Sequence, residues 1–131
     1  MAEEILNFYY RGIAISIGGS LYLRLLVEPS SRSGGGTETD YGGYARKELP
    51  RDTATIFTTA PANGRLTNGV IIAMDTVPTT VGNGSLTAFD IVDTPSGAFS
   101  KIYNGGPIVP ARAVIVGKAI KFRAGALIFT F

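Results

Sequence analysis

Two sets of residues have the types and spacing to do chemistry: a run of glycines and several pairs of carboxylates. Gly34, Gly35, Gly36, Gly42 and Gly43 fall within ten residues and are followed at once by Tyr44-Ala45-Arg46-Lys47-Glu48-Leu49. A glycine run cradles phosphate when a Gly-Lys-Ser/Thr follows it at the start of a helix, so that backbone N–H groups, a lysine and a hydroxyl converge on the anion. No Gly-Lys-Ser/Thr occurs in the sequence, and the alternation after Gly43 reads as strand, so neither the phosphate-loop nor the dinucleotide reading holds. The carboxylates are Glu38 and Asp40 in the glycine loop and Asp90 and Asp93 near one strand end. A glycosidase pair must face across a cleft at about 5–10 Å, and neither pair carries a supporting signature. Asp90 shares a face with Leu86 and Ala88, which reads as a satisfied polar residue, and Asp93-Thr94-Pro95-Ser96-Gly97 reads as a turn.

The residue types that are missing narrow the field further. The chain has no histidine and no cysteine, so the commonest general base, the thiolate nucleophile and the usual soft-metal ligands are all absent. No serine sits in a Gly-x-Ser-x-Gly elbow, and no Asp-x-Asp/Asn-x-Asp/Asn-Gly calcium loop is present. The expectation is no catalytic residue, no cofactor and no metal. Between Ala98 and Phe131 lie Lys101, Arg112, Lys118, Lys121 and Arg123 with no acidic residue. They are dispersed among apolar strand residues without a stacking platform, which argues against nucleic acid. The longest quasi-apolar stretch, Gly12 to Val27, contains Arg24 and two adjacent glycines. It falls short of the ~20 apolar residues of a membrane span. The acidic start Met-Ala-Glu-Glu is not that of a secretory signal.

The elements that would position these residues are strands. Residues 1–12 place Ile5, Phe8 and Tyr9 on one helical stripe, with Glu3 and Glu4 near the N-terminus and Gly12 as C-cap. A short N-terminal helix is predicted there, or else a strand or an extended arm, since Phe8, Tyr9 and Tyr10 in a row are poor helix formers. Leu21, Leu23 and Leu25 then alternate with Tyr22, Arg24 and Leu26 in a strand closed by Pro29. Residues 30–43 read as a polar loop at one end of the fold, ordered only by contact with a neighbouring subunit, which delivers Tyr44–Leu49 into a sheet. Further strands are predicted at Thr53–Thr59, at Leu66–Met74 with a bulge at Gly69, at Leu86–Thr94 and at Ala98–Gly106. A hairpin pivoting near Gly117 and a last strand at Ala126–Phe131 follow. Short strands separated by Gly, Pro and Asn turns every ~8–12 residues predict an all-β fold, an antiparallel β-sandwich or jelly-roll-like barrel. At 131 residues, the prediction is a single domain spanning 1–131.

Charged residues make up 17% of the chain against about 25% in an average domain, and mean hydropathy is +0.23. So few charges on so small a domain predict apolar surface buried against another chain. The expected assembly contacts are Ile5, Phe8 and Tyr9 in the N-terminal segment and Leu127, Phe129 and Phe131 on one face of the last strand.

Taken in order, the blocks "SGGGTET…GGYARKEL", "LTNGVIIAMDTV", "GSLTAFDIVDTPSGAFSKIYNGG" and "VIVGKAIKFRAGALIFTF" resemble a family of small bacteriophage virion proteins labelled tail-fibre or structural proteins. The resemblance rests on Gly42-Gly43-Tyr44-Ala45-Arg46, on Thr67-Asn68 before an apolar strand, on Ser96-Gly97, and on Ala124-Gly125 before the last strand. Lys118 stands where that family has an acidic residue. The resemblance implies an all-β virion component that acts by assembly and carries over no catalytic residue. The expected role is a homo-oligomer, as a trimer, docked with other virion proteins on the tail, baseplate or fibre apparatus. Alternatives are a decoration protein on the phage head and a carbohydrate-binding adhesion module using exposed tyrosines.

Overall fold

The structure, a computed structural model, describes residues 6, 9–12, 20–30, 35–52, 54–99 and 102–130. Residues 6 and 9–11 are helical, and Gly12 follows at φ 67°, the left-handed conformation that ends a helix. Beyond them the described elements are nine strands: β1 (Leu21–Glu28), β2 (Thr37–Glu38), β3 (Lys47–Leu49), β4 (Arg65–Thr67), β5 (Ile72–Thr76), β6 (Leu86–Val92), β7 (Ile102–Arg112), β8 (Ala119–Phe122) and β9 (Ile128–Thr130). Every pairing between them is antiparallel. The main sheet runs β2-β1-β6-β7, with β3 also paired to β1, and two ribbons, β4-β9 and β5-β8, complete an all-β sandwich.

Apolar alternation builds the core. In β1 and β6, Leu23 pairs with Ile91 and Leu25 with Phe89. These four side chains join Ile72 and Met74 of β5, Ile120 and Phe122 of β8, and Leu127 and Phe129 in a single cluster. Phe129 meets Phe57 and Phe89 edge-to-face, with centroids 5.5 and 5.4 Å away. That geometry suits the ring quadrupole and adds to simple burial. The opposite face of β1 and β6 is buried too. Leu26 and Val92 are fully covered there, and between them Arg24 lies opposite Asp90.

Four departures from the sequence reading have local causes. Residues 54–56 form a turn where a strand was expected. The Asp52 carboxylate accepts the N–H groups of Ala54 and Thr55 and the Thr55 hydroxyl, a local side-chain closure that competes with a sheet ladder. The stretch expected as one bulged strand is two: β4 pairs with β9 and β5 with β8, because the chain breaks at Asn68-Gly69. Gly117 does turn the chain, at φ 83°, but no hairpin forms around it. The segment after the turn pairs with β5, and Gly117 N–H bonds the carbonyl of Val77. Finally, residues 30–43 are not a bare loop. Thr37 and Glu38 pair with β1, Thr39 N–H bonds Leu25 C=O, and Tyr41 is buried.

Candidate functional site

Among the described residues, the two buried charged residues, Arg24 and Asp90, meet on the covered outer face of β1 and β6. Arg24 sits mid-strand in an otherwise apolar run, and the antiparallel register puts Asp90 directly across from it. The Arg24 guanidinium donates through Nε to Asp90 Oδ1 at 2.8 Å and through a terminal nitrogen to Oδ2 at 2.6 Å. This is a bidentate pair with side chains 5% and 0% exposed. Ser30 Oγ donates to the same carboxylate at 3.0 Å, and Arg24 also reaches Gly35 C=O at 3.4 Å. Such a pair is neutral in sum and has its lone pairs occupied, so burial carries no net charge into the fold.

A second arginine closes the neighbouring loops. Arg46 donates to both oxygens of Glu38 at 2.9 Å, to Thr94 C=O and Oγ1 at 3.1 and 3.0 Å, and to Gly97 C=O at 2.9 Å. Tyr44 completes the arrangement: its hydroxyl accepts the Leu25 N–H and donates to Glu38 Oε2 at 2.6 Å. Phe99 lies against both cations, with Arg24 4.4 Å and Arg46 5.7 Å from its ring centroid. Burial opposes ionisation of Glu38, yet the hydrogen bonds from Arg46 and Tyr44 and the Arg46 charge outweigh it and hold the carboxyl below its ordinary value. Burial and donation to Glu38 push the Tyr44 phenol far upward, so it stays protonated. Glu38 is therefore held ionised against Arg46. The cluster is a latch between residues 24–46 and 90–99.

Asn68 forms a second node. Its amide donates to Val70 C=O at 2.9 Å and Arg123 C=O at 2.8 Å, its Oδ1 accepts Leu127 N–H at 3.0 Å, and its own carbonyl accepts Gly125 N–H at 2.7 Å. It is fully buried. Thus Thr67-Asn68 is joined to Ala124-Gly125, and Gly42–Arg46 to Ser96-Gly97. The segments that carry the resemblance meet in two polar nodes.

The residues expected to mediate assembly divide. Ile5, Phe8 and Phe131 lie outside the described residues. Tyr9 is 72% exposed, whereas Leu127 and Phe129 are 1% and 8% exposed. The last two are therefore part of the chain's own core, because the face they share points toward Phe89 and Phe57. Of the loop glycines, Gly34 lies outside the described residues, and Gly35 and Gly36 have φ of 87° and 75°. Gly42 N–H bonds Thr80 C=O, and a Cβ at Gly43 would meet Pro78 Cδ at 2.9 Å. Contacts within the chain hold this half of the loop. Sequence reasoning missed Arg24 and Asn68. The available signal for Arg24 was a lone cation in one apolar strand and a lone anion, Asp90, in another.

Asp40, Thr79, Thr80, Gly82, Asn83 and Val116 line a shallow open groove at the end of β5. Among the described residues no group of three or more Asp or Glu is placed to hold a metal ion, and no helix is long and apolar enough to cross a membrane. Of the six tyrosines only Tyr9 and Tyr10 are exposed; Tyr41 is buried and the other three are partly covered. The fold and its two nodes define an all-β module in which Arg46 and Asn68 tie loops of the same chain together. Residues 1–130 match the family described as Podophage GP4 fiber I protein gp80, and the chain belongs to that family. No curated protein matches it.

Proposed function

We propose that the chain is a structural component of a phage fibre, incorporated in the virion beside other virion proteins as a homo-oligomer, with a trimer the expected order. The observation that carries this reading is the family match over nearly the whole chain. It acts by assembly: apolar surface is removed from water between subunits, and the rigid sandwich transmits the geometry. With Leu127 and Phe129 in the core, the contacts fall to exposed apolar side chains, among them Tyr9, Tyr10, Ile71, Val109 and Ile115, which are 52–83% exposed. Arg24, Arg46, Asp90 and Asn68 support those surfaces by holding the loops and take no part in a reaction.

The test is deletion of the coding sequence from a phage that carries it, followed by electron microscopy of purified particles. Particles with intact heads and tails but missing or shortened fibres are expected. Particles with complete fibres and fragile heads would overturn the reading in favour of head decoration.

A further inference from the structure

The sequence contains four Asn-Gly dipeptides: Asn63-Gly64, Asn68-Gly69, Asn83-Gly84 and Asn104-Gly105. Asn-Gly is chemically labile because glycine, lacking a Cβ, lets its backbone nitrogen swing onto the preceding side-chain amide. The fold treats the four very differently. Asn68 is fully buried with its amide nitrogen and oxygen both bonded, and Gly69 N–H is held by Ile56 C=O at 2.8 Å. Asn104 lies within β7, its amide donating to Thr130 C=O at 3.0 Å. Gly105 N–H is itself engaged, donating to the Asn104 side-chain oxygen at 2.7 Å, and the amide that would have to turn is pinned at Thr130. Asn83 is exposed but tethered, donating to Glu38 C=O at 3.2 Å, and the preceding Gly82 is wedged against the Tyr41 backbone.

Asn63 has none of these restraints. It and Gly64 form the exposed tip of a two-residue turn, at φ 53° and 72°, closed only by the reciprocal bonds between Ala62 and Arg65 at 2.9 and 3.0 Å. The Asn63 side chain makes no hydrogen bond among the described residues, and a Cβ built on Gly64 would meet nothing within 4 Å.

We infer that Asn63-Gly64 is the site of spontaneous deamidation in the folded protein, and that the fold protects the other three pairs. Hydroxide removes the Gly64 amide proton, and the nitrogen attacks Asn63 Cγ. The new N–Cγ bond closes a five-membered imide as the Cγ–Nδ2 bond breaks and ammonia leaves with a proton from water. A water molecule then opens the imide at either carbonyl, giving aspartate or, with the backbone rerouted through the side chain, isoaspartate. The net exchange is one water taken up for one ammonia released. The formal charge of +2 falls by one unit, since a neutral amide becomes a carboxylate. The new charge, and in isoaspartate an extra backbone atom, arrive at the turn beside β4, which holds β9 against the core.

The test incubates the purified full-length chain at mildly alkaline pH and follows each Asn-Gly pair by peptide mapping with fragment-ion sequencing and isoaspartate detection. Product is expected first at Asn63, as aspartate and isoaspartate together, ahead of Asn83. Asn68 reacts only through opening of its buried site and so lags by on the order of a hundred-fold or more. In guanidinium chloride the four rates converge, because only the fold separates them. An Asn63→Gln chain loses the early, more acidic species on ion exchange. Equal rates in the folded chain, or Asn68, Asn83 or Asn104 reacting first, would overturn the inference. So would persistence of the early species in Asn63→Gln.

Discussion

Asn68 is fully buried, and its side-chain amide ties together β4, the Val70 backbone, the Arg123 carbonyl and the Leu127 N–H. Truncation to alanine leaves these groups without partners inside the protein, where each orphan costs ~1–3 kcal/mol. Asn68→Ala should therefore lower stability by about 3 kcal/mol, read from the urea midpoint at unchanged m; a loss below about 1 kcal/mol would contradict the role assigned to it. A pair of glycines makes a sharper comparison. Gly82 has φ 79°, and a Cβ there would stand 2.6 Å from Tyr41 N and 2.9 Å from Tyr41 Cα, whereas Gly64 at φ 72° has open space. Gly64→Ala carries only the backbone strain of ~1–2 kcal/mol, so Gly82→Ala should unfold at clearly lower urea than Gly64→Ala. Equal midpoints would show that the Tyr41 contact yields freely. In the sequence the two positions look alike, each beside an asparagine in a polar turn. What separates them is a segment forty residues away, which no local pattern reports.

The strands β1 and β6 are legible as strands because their apolar residues alternate, and Asp90 was readable as a satisfied polar side chain sharing a face with Ala88. Its partner was not, since pairing Arg24 with Asp90 depends on the register between two strands separated by 66 positions. The same limit explains the hairpin that does not form at Gly117. The turn residues are right for one, but β8 finds better partners in β5, where Ile72 pairs with Phe122. The register makes the ion pair testable. Arg24→Met leaves a buried, unpaired carboxylate and should cost ~3–5 kcal/mol, while Arg24→Met with Asp90→Leu should recover most of that loss. If the double variant is as unstable as the sum of its singles, the two residues do not act as a pair. The Glu38–Arg46 contact between β2 and the segment before β3 responds to pH. Glu38 titrates below its ordinary value of 4.5 when folded, so the unfolded chain binds more protons in that window. Its contribution is complete above pH 4.5 and is lost as pH falls through the folded value. Wild type should exceed Glu38→Gln in thermal midpoint at neutral pH, and the two should converge on acidification; a constant gap would mean that the ionised form gains nothing from Arg46.

The whole molecule is a small, weakly charged sandwich with apolar side chains left on its surface, and low charge was the sequence's clearest statement about it. The all-β class and the absence of helical spans in the motif-bearing regions followed from turn spacing. Which apolar residues face out did not, because Ile128 and Phe129 differ only in which side of β9 meets the core: 41% against 8% exposed. Light scattering on the purified chain should return a multiple of the 13.8 kDa chain mass, three-fold for a trimer. Val109→Lys or Ile115→Lys should lower that mass with the fold unchanged by circular dichroism. A strictly monomeric wild type would remove the homo-oligomer from the account. The central claim, that this chain builds the fibre of a virion, is tested most directly by gold-labelled antibodies raised against it and applied to intact particles under the electron microscope. Gold on the fibres at the tail end of the particle is the predicted result; gold confined to the head, or particles carrying none while the chain is expressed in the infected cell, would contradict it.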